Sequence, residues 1–333
     1  MKNIFICTDG TWNTTLQTDR GKLSPTNVAK MARLIRTTPK QCIYYDRGVG
    51  TDNIIDKLRG GIFGAGLYEN VKQAYKFIVA NYKQGDKINL IGFSRGAFTA
   101  RCLGGMITKV GILRNKYIRD IDSIYSLYKS DTTNSDVVKE YCEHFCHSNR
   151  QIQFIGVWDT VGALGIPSSI FNWFNIRKYG FLNTDLSPNI ENAYHALAID
   201  EHRRPFKPTL WNEDKVHKGQ ILEQKWFVGA HSNVGGGYAD DGLSNITLEW
   251  MIERLVKTIP KVALNDSYIK NIIPDYKGEL RNEVSWSYPV SLIYPYDRPV
   301  FDPKYASVAI DQSVYSRAND KSINYDYLDS NIK

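Results

Sequence analysis

Serine, histidine and aspartate in a suitable arrangement carry acyl transfer, and the first of them stands out at residues 92–96, Gly-Phe-Ser-Arg-Gly. This G-x-S-x-G spacing is what a serine on a sharp strand-to-helix turn requires. The requirement is steric: in such a turn the backbone comes so close that a side chain at Gly92 or Gly96 would clash. The turn lifts the Ser94 hydroxyl above the sheet, where a base can take its proton and an ester carbonyl can be attacked. The amide of Arg95, at the start of the following helix, is then a candidate donor to the oxyanion. As a bare string the pattern is common, and its bland reading is an ordinary turn. The flanks weigh for a nucleophile: residues 88–91 have the apolar character of a buried strand, and 97–101 open a helix.

A nucleophilic serine needs a base and an orienting acid. Of the six histidines, His231 alone ends an apolar run and enters a glycine-rich loop, KWFVGAHSNVGGGY. Carboxyl ends of strands form the working rim of an open α/β sheet, so this placement puts His231 on the edge that carries Ser94. The alternative is a histidine that anchors its loop through backbone bonds. Two carboxylates compete as the acid. Asp159, in GVWDTVG, follows an apolar run and is expected at a strand end, so that Ser94, Asp159, His231 is the chain order of α/β-hydrolases. Asp200, in AIDEHRRPF, is expected at the end of a helix beside Arg203 and Arg204, where a salt-bridged structural role competes with catalysis. Rigid strand-end support favours Asp159, with Asp200 as the alternative acid. Asp9 ends the first apolar run. With Gly10 and Thr11 it makes a turn whose amides either complete the oxyanion hole or are simply fixed by the Asp9 side chain.

Such residues need a scaffold that brings strand ends together. Strand-like runs (KNIFICTDG, QCIYYDRGVG, INLIGFS, QIQFIGVWDTVG, QKWFVGAHSNVGGG) alternate with helical segments at 27–35, at 68–82 and after residue 94. That alternation argues for an α/β-hydrolase-like α/β fold with a largely parallel sheet flanked by helices. The chain reads as a single domain over 1–333, with a helical insertion at 112–150, a possible cap or lid at 162–190 and a C-terminal wrap at 260–333 around the sheet edge. Residues 192–204 are expected to be helical, and 246–259 to form an amphipathic helix. The cap segment sets Phe171, Trp173 and Phe174 among Gly, Ser, Asn and Pro, with Arg177 and Lys178 close by. Either these aromatics complete the core, or they line a mobile cap that receives an acyl chain while its basic residues meet a phospholipid surface.

With 42% hydrophobic and 23% charged residues over 333 positions, a sizeable core is available. The net charge of +7 is not concentrated in a Lys/Arg run, so a nucleic-acid surface is not indicated; mild attraction to anionic membranes is compatible with it. The apolar start of MKNIFICTDG is too short for a signal peptide's hydrophobic region and reads as the first strand. No stretch reaches the length of a membrane-spanning helix. The expected location is cytoplasmic as synthesised, with export by a route that uses no cleavable signal left open. Five scattered cysteines, an odd number, fit a reducing compartment better than a disulfide framework. No cofactor and no metal are expected. Cys142, His144, Cys146 and His147 include pairs at helical spacing, but a structural zinc site needs four converging ligands, and helix-surface packing is the better reading. The Gly60, Gly61, Gly64, Gly66 series lacks the Lys-Ser/Thr ending of a P-loop and reads as a close-packed loop.

Several ordered motifs together resemble a known family. DGTWN (9–13), GGIFGAGLYENVKQAYKFI (60–78), GDKINLIGFSRGAFTAR (85–101), VWDTVG (157–162), AIDEHRRPF (198–206), GAHSNVGGGY (229–238) and, more weakly, DQSVYSRA (311–318) are similar to α/β-hydrolase-type proteins that include type VI secretion lipase effectors. The resemblance spans almost the whole chain. It implies a Ser-Asp-His hydrolase of lipid or phospholipid acyl esters, with transient membrane-surface contact. The family usually shows Asp where this chain has Asn233, and DEHR is itself a family motif, which keeps Asp200 in view. Competing readings are an inactive hydrolase fold serving as a binding module, an esterase of small soluble substrates, and a haloacid-dehalogenase-type phosphatase suggested by CTDGT. The last needs an aspartate nucleophile where Cys7 stands. The first is disfavoured by Ser94, a strand-end acid and His231 occurring together.

Overall fold

The computed structural model describes residues 1–10, 16–48, 63–130, 135–161, 185–282, 297–300, 302 and 307–325. Its frame follows from apolar runs that are buried on both faces. Strand β1 (Asn3–Thr8) is followed by a small antiparallel hairpin, β2 (Thr18–Asp19) and β3 (Lys22–Leu23), and by helix α1 (Asn27–Leu34). Thr26 caps α1, its hydroxyl accepting from the Ala29 amide at 3.1 Å. Then come β4 (Gln41–Asp46), α2 (Phe63–Asn81), β5 (Lys87–Phe93) and α3 (Arg95–Val110). Helix α2 starts earlier than the sequence suggests and takes in Gly64 and Gly66. Between α3 and β6 (Ile152–Trp158) lie a 3-10 turn, α4 (Ile121–Lys129) and α5 (Ser135–Phe145). Cys142 and Cys146 pack there against the end of α3, each thiol donating to the Val110 carbonyl, at 3.1 and 3.2 Å.

Strand β7 (Asn192–Ala198) replaces the helix expected at this point. The alanine-rich run Ala193–Ala198 looks helical, but it lies between two neighbouring strands and is buried on both faces, where a strand shows no polar alternation. The chain continues through β8 (Ile221–Phe227), α6 (His231–Gly235), α7 (Gly242–Thr258), α8 (Asp266–Ile269), β9 (Ala309–Ile310) and α9 (Gln312–Asn319).

Seven strands form one parallel sheet in the order β4-β1-β5-β6-β7-β8-β9. Ile4, Ile6, Ile88 and Leu90 face a layer built from α2, α3, α4 and α5; Phe5, Cys7, Ile91 and Phe93 face α1 and α7 on the other side. Because β1 leads to β4 on one flank while the sheet continues through β5 on the other, the order reverses between β1 and β5. The carboxyl ends at such a switch point leave the crevice in which α/β sheets bind ligands. The C-terminal portion covers the far edge, where Val300, Val308 and Val314 pack on Leu197, Ile199 and Trp226. Among the described residues, no helix is long and apolar enough to cross a membrane.

Candidate active site

Ser94 stands between the last residue of β5 and the first of α3, at φ 58° and ψ −120°. A non-glycine residue held there stores strain of about 1–3 kcal/mol, so its surroundings must impose it. They do so by close contact. A Cβ on Gly92 would stand 2.6 Å from the Gly96 carbonyl oxygen, and one on Gly96 would collide with the Thr8 carbonyl and stand 2.6 Å from that of Asp9. Helix α3 therefore begins directly against the end of β1. The Thr8 hydroxyl locks the contact by donating to Gly96 O at 2.7 Å, and the Ser94 amide donates to Trp158 O at 3.1 Å.

Asp159 follows β6 at once and also takes a positive φ, 37°. Its amide donates to Ala196 O at 2.8 Å, which fixes the strand end that carries it. His231 opens α6, and its Nδ1 lies 2.6 Å from Asp159 Oδ2. A carboxylate accepts, so Nδ1 carries the proton and Nε2 is the basic nitrogen of the neutral ring. The imidazole rests on Phe93, the residue immediately before Ser94, with ring centroids 4.6 Å apart, and meets the Phe206 ring at 5.0 Å. Gly235 allows that seat, since a Cβ there would run into the Phe93 ring.

Sequence reasoning missed the partners of this pair. Arg298 donates from Nη1 to Asp159 Oδ1 at 2.6 Å and from Nη2 to Oδ2 at 3.0 Å, both side chains fully buried. Ala198 N adds a bond to Oδ1 at 3.1 Å, so each carboxylate oxygen has two donors. Burial alone pushes the Asp159 carboxyl up, but the Arg298 charge and the hydrogen bond from His231 outweigh it and hold the group well below the usual carboxylate range. Glu201 accepts from the His231 amide at 3.2 Å and is itself gripped by Arg203 at 2.7 and 2.8 Å. The Arg203 guanidinium lies 3.7 Å over the Phe206 ring, the same ring that touches His231. No local motif announces Arg298; the one signal available for Glu201 was the DEHR string.

Asp200 sits after strand β7, not at a helix end, and it is not the partner of the neighbouring arginines. Its Oδ2 accepts from Gly229 N at 2.6 Å and its Oδ1 from the Tyr325 hydroxyl at 3.0 Å, bracing the loop that leads into His231. Burial pushes its carboxyl up to about 6. Asp9 accepts from Thr26 Oγ1 at 2.6 Å and from Tyr45 OH at 2.7 Å, bolting β1 to α1 and β4. Of the two roles open to the Gly10 amide, oxyanion donor or part of a turn fixed by Asp9, the structure has the second: it donates to Asp9 Oδ1 at 2.7 Å, so a carboxylate already occupies it. Thr11, the aromatics Phe171, Trp173 and Phe174, and Gly60 and Gly61 lie outside the described residues.

The chain is similar to known proteins and to one known family. It is 29% identical over 232 residues to the uncharacterized protein YEL023C of Saccharomyces cerevisiae, covering 62% of this chain and 32% of the relative. The chain thus spans about a third of the length of that curated relative. Among solved structures it is similar to an uncharacterized protein from Pseudomonas aeruginosa, with 14% identity and a TM-score of 0.48 over 82% of this chain and 49% of that one. It is also similar to the Tle1 effector bound to the VgrG spike of the type 6 secretion system, with 20% identity and a TM-score of 0.39 over 72% and 51%. The type VI secretion model for the catalytic domain of Tle1-like phospholipase effectors matches residues 2–254, a span that takes in Ser94, Asp159 and His231, and the chain belongs to that family.

Proposed function

We propose that this protein is a serine hydrolase of lipid acyl esters, phospholipids foremost, with Ser94 as nucleophile, His231 as base and Asp159 as the acid that orients it. The observation that carries the reading is the 2.6 Å bond between Asp159 and His231 Nδ1, on an imidazole seated against the residue next to a strained Ser94. In this reading Nε2 takes the Oγ proton as Oγ attacks the ester carbonyl. The oxyanion is met by the Arg95 amide at the positive end of α3. Collapse of the tetrahedral intermediate expels the alcohol, which takes the proton from Nε2 and leaves an acyl-Ser94 ester. Water, deprotonated by the same nitrogen, then releases the fatty acid. Family membership supports the lipid substrate. Phe171, Trp173 and Phe174 are the candidate contacts for the acyl chain.

A serine-reactive fluorophosphonate and a panel of phospholipid vesicles and short-chain esters test this. Ser94→Ala is expected to abolish labelling and lower turnover by about 10⁴-fold or more, and Asp159→Asn to cripple it nearly as much as His231→Ala. Undiminished labelling of Ser94→Ala would refute the nucleophile. Turnover confined to soluble short esters would replace the lipid assignment with that of a small-ester esterase.

A further inference from the structure

The site is completed by a residue far away in the chain. Arg298 lies beyond residues 2–254, the span that the family model matches, yet its guanidinium holds both oxygens of Asp159 and, through Nη2, the Phe206 carbonyl at 2.8 Å. A bidentate guanidinium fixes the plane and rotation of a carboxylate in a way that a single donor does not. The same Nη2 bridges Asp159 to the residue whose ring touches His231, so acid, base and clamp form one closed circuit.

We propose that Arg298 is a positioning residue of the Ser94, Asp159, His231 site: it fixes the Asp159 carboxylate against His231 Nδ1 and offsets its charge. This rests on the hydrolase reading above. A bare carboxylate beside an imidazole favours the protonated ring, which cannot serve as a base; a guanidinium on that carboxylate counters the effect and keeps the ring available at lower pH. The other charged groups around the pair have partners of their own. Glu201 is held by Arg203, and Asp200 by the Gly229 amide and Tyr325. His202 lies 3.2 Å from Asp297, Arg101 donates to Thr209 O, and Asp9 is bound by Thr26 and Tyr45. His195, in β7 behind Asp159, is pushed down to about 3 by burial and stays uncharged, and Arg95 follows the nucleophile on α3. Among the described residues, Arg298 is the cation bonded to the Asp159 carboxylate.

Two substitutions separate its charge from its geometry in the full chain. Arg298→Gln keeps a donor and loses the charge; Arg298→Lys keeps the charge and loses the fork. The readouts are kcat/KM for a soluble short-chain ester across pH, the rate of fluorophosphonate labelling, and the melting temperature. For Arg298→Gln the acid limb of the pH profile is expected to move up by about one unit, with plateau turnover down about tenfold or more. For Arg298→Lys the limb should stay near the wild-type position while the plateau falls. A Gln variant that labels at Ser94 with an unmoved acid limb overturns the charge argument. If the Gln variant does not fold, a folded Lys variant with wild-type plateau turnover overturns the positioning role. Wild-type protein that takes no label at Ser94 defeats the hydrolase reading and this inference with it, whereas the outcomes above defeat the inference alone.

Discussion

Asp200→Asn is expected to make the protein more stable at neutral pH, and the structure supplies the size of the effect. Burial pushes the Asp200 carboxyl from its ordinary 3.8 up to about 6, against the Gly229 amide and the Tyr325 hydroxyl, which favour the charged form. Between those values the folded protein keeps a proton that the unfolded chain has released. The contribution of this group is therefore undiminished below pH 3.8, declines as pH rises through the window, and has reached its full deficit above about 6. A difference of about two units at about 1.4 kcal/mol each amounts to about 3 kcal/mol. Asparagine is neutral at every pH, and its oxygen can accept from Gly229 while its amide donates to Tyr325. Unfolding free energies from urea titrations at pH 3.5 to 8 measure the effect as the difference between variant and wild type. Asp159 and Glu201, whose carboxyls are held low, tilt both curves the opposite way and cancel in that difference. The expected difference is near zero at the acid end and grows to as much as about 3 kcal/mol in favour of the variant by pH 8. A difference that stays flat, or a variant less stable at pH 8, would refute the argument. Loss of turnover in this variant, with Asp159→Asn still active, would make Asp200 the acid.

Two further expectations concern shape. Gly96→Ala drives a methyl into the Thr8 and Asp9 carbonyls and disturbs the Thr8 hydroxyl bond, so it should cost about 3 kcal/mol or more and abolish labelling of Ser94; a wild-type melting temperature would show that β1 and α3 can separate freely. Replacing Phe171, Trp173 and Phe174 together by Ser should sharply reduce hydrolysis of long-chain phospholipid vesicles yet largely spare a soluble short-chain ester; equal loss on both, with a lower melting temperature, would place these aromatics in the core instead.

What could be read in the sequence was what is local. Gly92 and Gly96 announce a turn because their missing side chains answer to contacts within a few residues and to the neighbouring strand end. Asp159 and His231 are visible because each follows an apolar run, and a parallel sheet carries all such ends to one rim. The helix expected over 192–204 failed for a related reason: an interior parallel strand is apolar on both faces, and an alanine-rich one imitates a helix. The misplacement carried Asp200 with it. Arg298 was invisible because nothing in its own neighbourhood requires it; its partner is 139 positions earlier in the chain. The turn at Gly10 was legible only as two alternatives, and the choice between them depends on the final geometry at the end of β1, where Asp9 Oδ1 takes the Gly10 amide.

The reach of Arg298 back to Asp159 also sets an order in time. A chain emerging from synthesis at about 5–20 residues per second delivers Asp159 roughly 7–28 seconds before Arg298, across the 139 positions that separate them. Strands β1, β4, β5 and β6 are complete by Trp158 and can pair during that interval, so the serine turn can form early. The carboxylate that is to face His231 meanwhile waits without its clamp. A nascent chain thus has the Ser94 turn available well before the guanidinium that fixes Asp159, and the arrangement around Asp159 is completed only when the intervening 139 positions have been made.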